Sequence, residues 1–393
     1  MSRPDFSRRH FLKLAGLGVA ALNPLLAAAE PRKEQDYLVY IGTYAKPEAE
    51  SIFLYSLNPV TGALARVNGF KAGENPSYLT LAADRRHLYA VNETTEYEGA
   101  KSGAVSAFAI DGRTGGLTLL NRQPSLGGAP CYISLDHTNH TALVANYVGG
   151  NVSAFPVQAN GQLSPSSALD QHHGTGPHKN QTSPHAHCIL PDPANRFAFA
   201  VDLGTDQVTG YQLDVKQGKL TPNQTPAFTA KPGAGPRHLT FHPNKRWAFL
   251  INELNSSVTA LNYNAAQGTF TEIQTLSSLP ADFKGENSCA DIHVSPDGKF
   301  LYGSNRGHNS IVVFAIDASG HLTLVQHADV QGKTPRNFTL DPTGRILLVA
   351  NQNSNNIISY FIDKQTGKLR PTGKSVELPS PVYLQILPDF RKV

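Results

Sequence analysis

Cysteine and charged residues are scarce in this sequence of 393 residues. The three cysteines, Cys131, Cys188 and Cys289, are odd in number and too few for the disulfide framework of a small secreted domain. We therefore expect small buried thiols. Only 16% of the residues are charged, and no basic run lies beyond residue 29. This composition gives no reason to expect a nucleic-acid partner.

What positive charge there is lies mostly at the N-terminus. The formal net charge is +4, and residues 1–29 contain four basic side chains and one acidic side chain. Residues 30–393 therefore carry a net charge of only about +1, the difference between +4 and +3. The net positive charge of the chain therefore comes mostly from a predicted targeting segment. It gives no information about the partners of the folded domain.

Residues 1–29 resemble a bacterial twin-arginine export signal. The pair Arg8-Arg9 precedes an apolar stretch from Leu14 to Ala29, which ends in three alanines. The resemblance predicts a mature domain of residues 30–393 in the periplasm, with the twin-arginine translocase as its partner during export. An ordinary secretion signal or an N-terminal anchor is the alternative. The apolar stretch is short and rich in Gly and Ala, so we expect no stable membrane insertion after cleavage.

Long helical periodicity is also missing after the signal. Short β-rich runs separated by Asn, Asp, Gly and Pro turns fill the chain, which contains 33 glycines and 27 prolines. One pattern recurs, as in the run Gly235–Phe241, a tight turn and the run Trp247–Asn252. In each repeat of this pattern, one residue of the run before the turn serves as a register mark. The marks are Ser77, Cys131, His187, Arg237, Ala290, Arg336 and Val382, at intervals of 46 to 56 residues.

Seven marks predict seven structural units. Each of the first six marks is followed by a second run, a third run and a Gly-Xaa-Leu or Gly-Xaa-Phe hairpin signal, so that a unit has four strands. This is typical of an all-β, seven-bladed β-propeller with four antiparallel strands per blade. The last mark supplies only a first strand, and the missing strands lie between Tyr37 and Phe70. We therefore expect one blade to be shared between the termini; a pair of β-sandwiches is the alternative.

Two repeat positions predict where a functional site lies. In an antiparallel hairpin, the mark and the residues 15 and 16 positions later lie at the same end, here near the central axis. The residue at +15 is Asn or Asp in the first six units, which turn geometry largely explains. The mark and the +16 position vary instead among His, Arg, Glu, Tyr and Gln. A purely structural repeat gives no reason for such variation, whereas a site shared by several blades does.

Histidines cluster before the third mark. His172, His173, His178, His185 and His187 lie in a turn-rich insertion that we expect to loop over the same face. A histidine-rich loop can bind metal, but this spacing fits no standard zinc pattern and no cysteine is placed to complete one. Adventitious metal affinity is favoured over a required metal, and no cofactor is predicted.

The run Gly235–Val258, together with Ala290–Gly298 and Ser183-Pro184-His185-Ala186-His187, resembles the bacterial 6-phosphogluconolactonases of the seven-bladed propeller type. The resemblance covers essentially residues 37–388. In this family, which also includes fungal carboxymuconate cyclases, the proposed catalytic set of a His, two Arg and a Glu maps onto His187, Arg237, Glu253 and Arg306. The export signal and the histidine-rich insertion depart from the compact cytoplasmic enzymes. The physiological lactone, phosphorylated or not, therefore stays open.

The resemblance implies metal-independent hydrolysis of a sugar-type lactone. His187 or Glu253 is the base, and an arginine beside Glu253 would hold its pKa down, which favours His187 as base and Glu253 as its orienting partner. Arg237 and Arg306 are expected to stabilise an oxyanion or an anionic group. A calcium-dependent lactonase and a non-catalytic binding propeller are the alternatives. The expected substrate-binding residues are His185, Asp202, His238, Asn252, Asp291, His293, Arg336, Asn351 and Gln352.

Overall fold

The computed structural model describes residues 36–392, which form twenty-nine β-strands and a 3-10 helix at Phe390–Lys392. The predicted export signal at residues 1–29 lies outside the described residues. The strands of the first half are β1 (Tyr37–Thr43), β2 (Ile52–Leu57), β3 (Leu64–Phe70), β4 (Tyr78–Leu81), β5 (His87–Asn92), β6 (Ala104–Ile110), β7 (Leu117–Pro124), β8 (Pro130–Leu135), β9 (Thr141–Asn146), β10 (Asn151–Pro156), β11 (Ala168–Gln171), β12 (Ala186–Pro191), β13 (Phe197–Asp202), β14 (Gln207–Asp214), β15 (Lys219–Pro222) and β16 (Phe228–Thr229). Those of the second half are β17 (Pro236–Phe241), β18 (Trp247–Asn252), β19 (Ser257–Asn264), β20 (Thr269–Ser277), β21 (Ser288–Val294), β22 (Phe300–Arg306), β23 (Ser310–Ile316), β24 (Leu322–Asp329), β25 (Pro335–Leu340), β26 (Ile346–Asn351), β27 (Asn356–Ile362), β28 (Leu369–Glu377) and β29 (Pro381–Pro388).

These strands form seven antiparallel sheets arranged in a ring. The sheets are β29-β1-β2-β3, β4 to β7, β8 to β11, β12 to β15 with β16 beside β14, β17 to β20, β21 to β24, and β25 to β28. Their first strands contact one another in the order β4, β8, β12, β17, β21, β25, β29 and back to β4. The predicted seven-bladed β-propeller is therefore confirmed, and the first strand of every blade lies nearest the axis.

The shared blade closes the ring. β29, the last strand of the chain, pairs antiparallel with β1, the first, from Tyr37 opposite Pro388 to Gly42 opposite Tyr383. β1 then pairs with β2, and β2 with β3. This pairing satisfies backbone groups that an unpaired strand edge would leave open. The predicted division of one blade between the two terminal segments is confirmed.

Apolar side chains between neighbouring blades form the core. Every residue of the second strands β18 and β26 is buried, because a blade is covered on both faces by its neighbours. Phe249 and Ile251, for example, pack with Leu301 and Val312 of the next blade. Burying each such side chain stabilises the fold by about 1.5–3 kcal/mol. The fourth strands, such as β3, are largely exposed and form the outer surface.

Tight turns join the first and second strands. In the last complete blade, Asp341 accepts hydrogen bonds at 2.6 Å from the backbone N–H groups of Arg345 and Ile346. Gly344 in this turn has a φ of +64°, a conformation that costs glycine little. Asp136 and Asp192 serve the same function in two other blades. These short turns keep the two strands in register. They therefore fix which residues of the second strand lie beside the register mark.

A β-bulge lies at the register mark of most blades. Pro236 pairs with Asn252 and His238 with Ile251, so that Arg237 has no residue opposite it. The same skip occurs at Cys131, His187, Arg336 and Val382. A bulge re-aims the side chain of the extra residue and bends the strand. In these five blades the repeat therefore presents one irregular residue at the same end of the axis.

In residues 36–392 no helix is long and apolar enough to cross a membrane.

Candidate functional site

A polar cavity of about 240 Å³ lies where the seven first strands meet at one end of the axis. Every blade contributes to it. The lining residues are Tyr44, Glu93, Cys131, Tyr147, His187, Glu253, Arg306 and Arg336. Four of them are glutamate or arginine, so the walls bring carboxylate and guanidinium groups together.

Seven of the eight lining residues occupy one of the two repeat positions identified in the sequence, and Tyr44 occupies the equivalent position of the shared blade. Cys131, His187 and Arg336 are register marks on β-bulges. Glu93, Tyr147, Glu253 and Arg306 are the residues at +16. Tyr44 is the equivalent residue of the shared blade, because Thr43 pairs with Pro381 as Asn252 pairs with Pro236. The cavity is therefore built by the repeat itself.

Glu253 is held between two arginines on one side of the cavity. Its Oε2 lies 2.8 Å from Arg306 Nη2 and 3.0 Å from Arg237 Nε. Burial alone would raise the pKa of Glu253, but the charges of Arg306 and Arg237 lower it below its ordinary value. Glu253 is therefore an anion, and its position is fixed by two partners.

Arg237 itself does not line the cavity. Only 2% of its side chain is exposed, and its Nη1 donates a hydrogen bond of 2.6 Å to the carbonyl oxygen of Ala290. Burial, together with the nearby charge of Arg306, lowers the pKa of Arg237 to about 10, so the guanidinium stays charged at neutral pH. Arg306, in contrast, lines the cavity while its Nη2 also donates to Cys289 O at 2.9 Å. Of the two arginines, Arg306 is the one that a bound molecule can touch.

A second acidic group lies elsewhere in the lining. The hydroxyl of Tyr44 is 3.0 and 2.9 Å from the two carboxylate oxygens of Glu93. Arg336 Nη2 lies 3.8 Å from Glu93 Oε2, and the Arg336 guanidinium stacks 5.4 Å from the centre of the Tyr44 ring. Burial opposes the charge of Arg336, but Tyr44 and Glu93 raise its pKa overall. These three residues form a compact group that we call the Glu93 cluster.

His187 is a neutral imidazole in the cavity wall. Burial, reinforced by the positive charge of Arg237, lowers its pKa well below the ordinary histidine value. Its ring makes edge contacts with Tyr147 at 5.6 Å and with His238 at 5.2 Å between ring centres. Its buried Nδ1 has no hydrogen-bond partner in the part of the chain that the structure describes. A neutral imidazole of this kind can accept a proton.

Behind the cavity, Asp291 organises a buried polar network. It accepts hydrogen bonds from His238 Nδ1 at 2.9 Å, His293 Nε2 at 2.9 Å and Asn337 Nδ2 at 2.5 Å. Burial alone would raise the pKa of Asp291, but the histidines lower it far below its ordinary value. Since an ionised carboxylate can only accept, His238 donates through Nδ1. Its Nε2, 3.2 Å from Arg237 Nη1, is then the acceptor, which links Asp291 to Arg237.

The expected site residues therefore divide into three groups. His187, Glu253, Arg306 and Arg336 line the cavity, and His185 stacks on Tyr147 at its edge, with ring centres 4.5 Å apart. Arg237, His238, Asp291 and His293 lie behind this lining and contact it through one another. Asp202, Asn252, Asn351 and Gln352 lie outside the lining.

The last group has structural contacts. Asp202 Oδ1 accepts hydrogen bonds from the backbone N–H groups of His185, Gly204 and Thr205. Asn252 donates to the hydroxyls of Ser257 and Thr259, and Asn351 donates to Val330 O. The backbone N–H of Gln352 donates to Thr334 O. These contacts agree with the turn explanation for Asn and Asp at +15.

The loop histidines do not gather in one place. His172 is buried and bonded to Asp202 and Tyr211, whereas His173 is exposed. Within residues 36–392, no three His, Cys, Asp or Glu side chains are placed to hold a metal ion. All three cysteines are free and buried, and burial raises the pKa of Cys289 to about 11 and that of Cys188 to about 12. The expectation of buried thiols is confirmed.

Sequence reasoning missed four lining residues as site candidates: Tyr44, Glu93, Cys131 and Tyr147. Three of them stand at the mark or +16 positions and could have been selected by the same rule. Tyr44 required the register to be continued across the shared blade, where the second strand precedes its first strand in the chain. Repeat position therefore selects the lining residues more completely than residue type does.

Larger cavities occur elsewhere, but their walls contain fewer kinds of reactive side chain. One of about 390 Å³ lies at the turns between first and second strands, and its walls include Leu135, Leu190 and Phe241. Another of about 520 Å³ lies on the outside of one blade, beside Arg196 and Lys219. Neither combines carboxylates, guanidinium groups and a neutral histidine in its walls as the axial cavity does. Converging chemistry, more than size, identifies the axial cavity as the functional candidate.

This chain is similar to known lactonases in family, in sequence and in structure. Residues 38–386 match the family model described as Lactonase, 7-bladed beta-propeller. The 6-phosphogluconolactonase of Bacillus subtilis is 38% identical over 352 residues, which cover 89% of this chain and 98% of that protein. The 6-phosphogluconolactonase of Formosa agariphila is 36% identical over 84% of this chain and 94% of its own length. Among solved structures, the periplasmic gluconolactonase of Pseudomonas aeruginosa has a TM-score of 0.84 and 34% identity, covering 90% of this chain and 99% of that chain.

Proposed function

Since the chain belongs to the lactonase family of seven-bladed β-propellers, we propose that its axial cavity hydrolyses a sugar-type lactone. The observation that carries this proposal is the sharing of one carboxylate oxygen of Glu253 by Arg306 and Arg237, at 2.8 and 3.0 Å. Two guanidinium groups against one carboxylate leave one positive charge in excess. Hydrolysis of a lactone develops one negative charge, on the former carbonyl oxygen, in its tetrahedral intermediate.

In the proposed reaction, His187 activates water. Its low pKa keeps the imidazole neutral at neutral pH, so that it can take a proton as the water oxygen bonds to the lactone carbonyl carbon. Glu253 is a poorer candidate base because Arg306 and Arg237 both contact one of its carboxylate oxygens, and protonation of the carboxylate would weaken both ion pairs. His187 Nδ1, in contrast, has no hydrogen-bond partner to lose among the described residues. Glu253 instead holds Arg306 in place. This division of roles agrees with the assignment favoured from the sequence.

Arg306 stabilises the oxyanion in this scheme, because it is the guanidinium that both lines the cavity and contacts Glu253. Arg237 acts through Glu253 and is a positioning residue. Collapse of the intermediate breaks the bond between the carbonyl carbon and the ring oxygen. The proton held by His187 passes to that oxygen, which leaves as a hydroxyl group, and the product is the open-chain hydroxy acid.

The proposal includes no metal ion. The two cavity carboxylates, Glu253 and Glu93, each contact arginine, and cationic partners of this kind suit anion stabilisation better than binding of a divalent cation. We also propose that the protein acts in the periplasm. The twin-arginine pattern in residues 1–29 and the similarity to the periplasmic gluconolactonase of Pseudomonas aeruginosa support this location.

The test is a hydrolysis assay on the purified mature protein. Proton release from glucono-δ-lactone and from 6-phosphoglucono-δ-lactone is followed with a pH indicator and corrected for spontaneous opening, with and without EDTA. We expect catalysis of at least one lactone, insensitivity to EDTA, and a loss of about 10²-fold in kcat for Arg306→Ala. Arg113→Ala, which removes an exposed arginine from a turn, is the matched control and should retain wild-type activity. Absence of turnover with both lactones would contradict the proposed function.

A further inference from the structure

In the Glu93 cluster, a carboxylate lies beside one of the two arginines that line the axial cavity. Arg336 is a cation in the cavity lining that Glu253 does not contact within ion-pair distance. Its Nη2 lies 3.8 Å from Glu93 Oε2, and the hydroxyl of Tyr44 fixes that carboxylate through both oxygens. The side chains of Glu93 and Arg336 are only 17% and 16% exposed, so bulk water screens their interaction weakly. Glu93 therefore offsets the charge of Arg336.

The charges of the whole lining can then be assigned. Glu93 and Glu253 carry two negative charges, Arg306 and Arg336 carry two positive charges, and His187 is neutral. Arg237, behind Glu253, adds the single positive charge in excess. In the proposed reaction this net positive charge is presented to the oxyanion by Arg306, which lines the cavity. A phosphate monoester, which carries about 1.5 to 2 negative charges at pH 7, would find no further uncompensated cation in this lining.

We propose that Glu93 is a specificity-determining residue that makes the cavity selective for uncharged aldonolactones over their phosphate esters. The inference rests on the proposed function, since it names the substrate class of the same site. A phosphate group near Glu93 would face a fixed carboxylate, and like charges in a partly buried site are strongly unfavourable. The hydroxyl groups of an uncharged sugar lactone can instead hydrogen-bond to that carboxylate and to the Arg336 guanidinium.

The experiment compares two probes, glucono-δ-lactone and 6-phosphoglucono-δ-lactone, in the wild type and in Glu93→Gln. The measured quantity is the ratio of kcat/KM for the uncharged lactone to kcat/KM for the phosphorylated one. We expect a ratio of at least about 10 in the wild type and a fall of about tenfold or more in Glu93→Gln, because that variant frees Arg336 for the phosphate. Glu93→Gln removes the repulsion between the carboxylate and a phosphate group and keeps the volume of the side chain.

Two further variants separate charge from other effects. Glu96→Gln removes an exposed carboxylate three residues away on the same loop, changes the net charge equally, and should leave the ratio at the wild-type value. Tyr44→Phe keeps both charges of the cluster but removes the hydrogen bonds to Glu93, and should leave the ratio within about threefold. A ratio that fell equally in all three variants would overturn the proposal, since the selectivity would then not depend on the Glu93 charge.

Product binding to the wild type provides a test that needs no folded variant. Isothermal titration with gluconate and 6-phosphogluconate should show that the phosphate weakens binding by about tenfold or more. Tighter binding of the phosphorylated product, or a wild-type preference for the phosphorylated lactone, would overturn the inference and leave the proposed lactone hydrolysis intact. Failure to open either lactone would instead remove the proposed function on which the inference rests.

Discussion

Arg237 contacts Glu253 from behind: its Nε lies 3.0 Å from Glu253 Oε2, yet only 2% of the arginine side chain is exposed. A buried cation this close to a carboxylate fixes the carboxylate in position and keeps it ionised. Arg306 reaches the same oxygen from the cavity side. The two arginines have the same chemical type and different positions, because only Arg306 lines the cavity.

This contact predicts a stability effect for Glu253→Gln. The substitution leaves two guanidinium groups close together without their shared anion, and the remaining unpaired charges are costly in a partly buried site. We expect the free energy of unfolding to fall by about 3 kcal/mol and kcat/KM to fall by about 10²-fold. Urea denaturation at pH 7 and lactone assays measure the two effects.

A double variant checks the cause of that loss. Arg237→Met removes one of the two cations, so Glu253→Gln combined with Arg237→Met should be more stable than Glu253→Gln alone. Recovery of about 1 kcal/mol is expected if charge repulsion causes the loss. Additive destabilisation by the two substitutions would show that packing, not charge, explains the effect of Glu253→Gln.

The low pKa of His187 predicts the pH dependence of catalysis. Since the base must be unprotonated, activity is lost only as the pH falls through the His187 pKa, which burial and Arg237 place well below the ordinary histidine value. The acid limb of kcat/KM should therefore lie below pH 6.5, the ordinary histidine pKa. Arg336→Gln removes one positive charge that also lowers this pKa and should move the limb to higher pH. A limb at pH 6.5 or above in the wild type would exclude His187 as the base.

The sequence could predict where the candidate cavity lies because the repeat has a fixed geometry. In an antiparallel hairpin of nearly constant length, the mark and the +16 residue must end at the same face. The +15 residues fit turn chemistry, as Asn252 and Asn351 illustrate. Repeat position therefore indicates every lining residue except Tyr44, including Glu93, Cys131 and Tyr147, which residue type does not single out.

The same reasoning could not predict how far each side chain reaches. Arg237 and Arg336 are both register marks on β-bulges, yet Arg336 lines the cavity and Arg237 lies behind it. The difference arises from contacts with other blades: Arg237 binds Ala290 O, whereas Arg336 stacks on Tyr44. Such contacts join residues far apart in the chain and depend on side-chain length and direction, which periodicity does not encode.

Asp291 is predicted to be a positioning residue. Asp291→Asn removes the anion that makes His238 donate through Nδ1, and so disturbs the His238 Nε2 acceptor that faces Arg237. We expect kcat to fall about tenfold with KM nearly unchanged, since the network does not line the cavity.

Imidazole 15N chemical shifts provide the readout that a merely structural effect would not move. They should show His238 as a single neutral Nδ1–H tautomer in the wild type, because burial and Arg237 lower its pKa to about 4. A mixture of tautomers should appear in Asp291→Asn. An unchanged tautomer together with a lower kcat would contradict the proposed linkage through His238.

Asp202 was expected from the sequence to bind substrate, and its contacts predict a structural role instead. Its Oδ1 accepts three backbone N–H groups, and its Oδ2 lies 2.6 Å from His172 Nδ1 in a fully buried pair. Asp202→Asn keeps an oxygen acceptor for the backbone but removes the charge opposite His172. Asp202→Ala removes both. We expect losses in the free energy of unfolding of about 1 kcal/mol for Asn and about 3 kcal/mol for Ala, measured by urea denaturation.

In the Asn variant, KM for the lactone should stay within about twofold of the wild type, since Asp202 lies outside the cavity lining. A large rise in KM with unchanged stability would restore Asp202 as a substrate-binding residue.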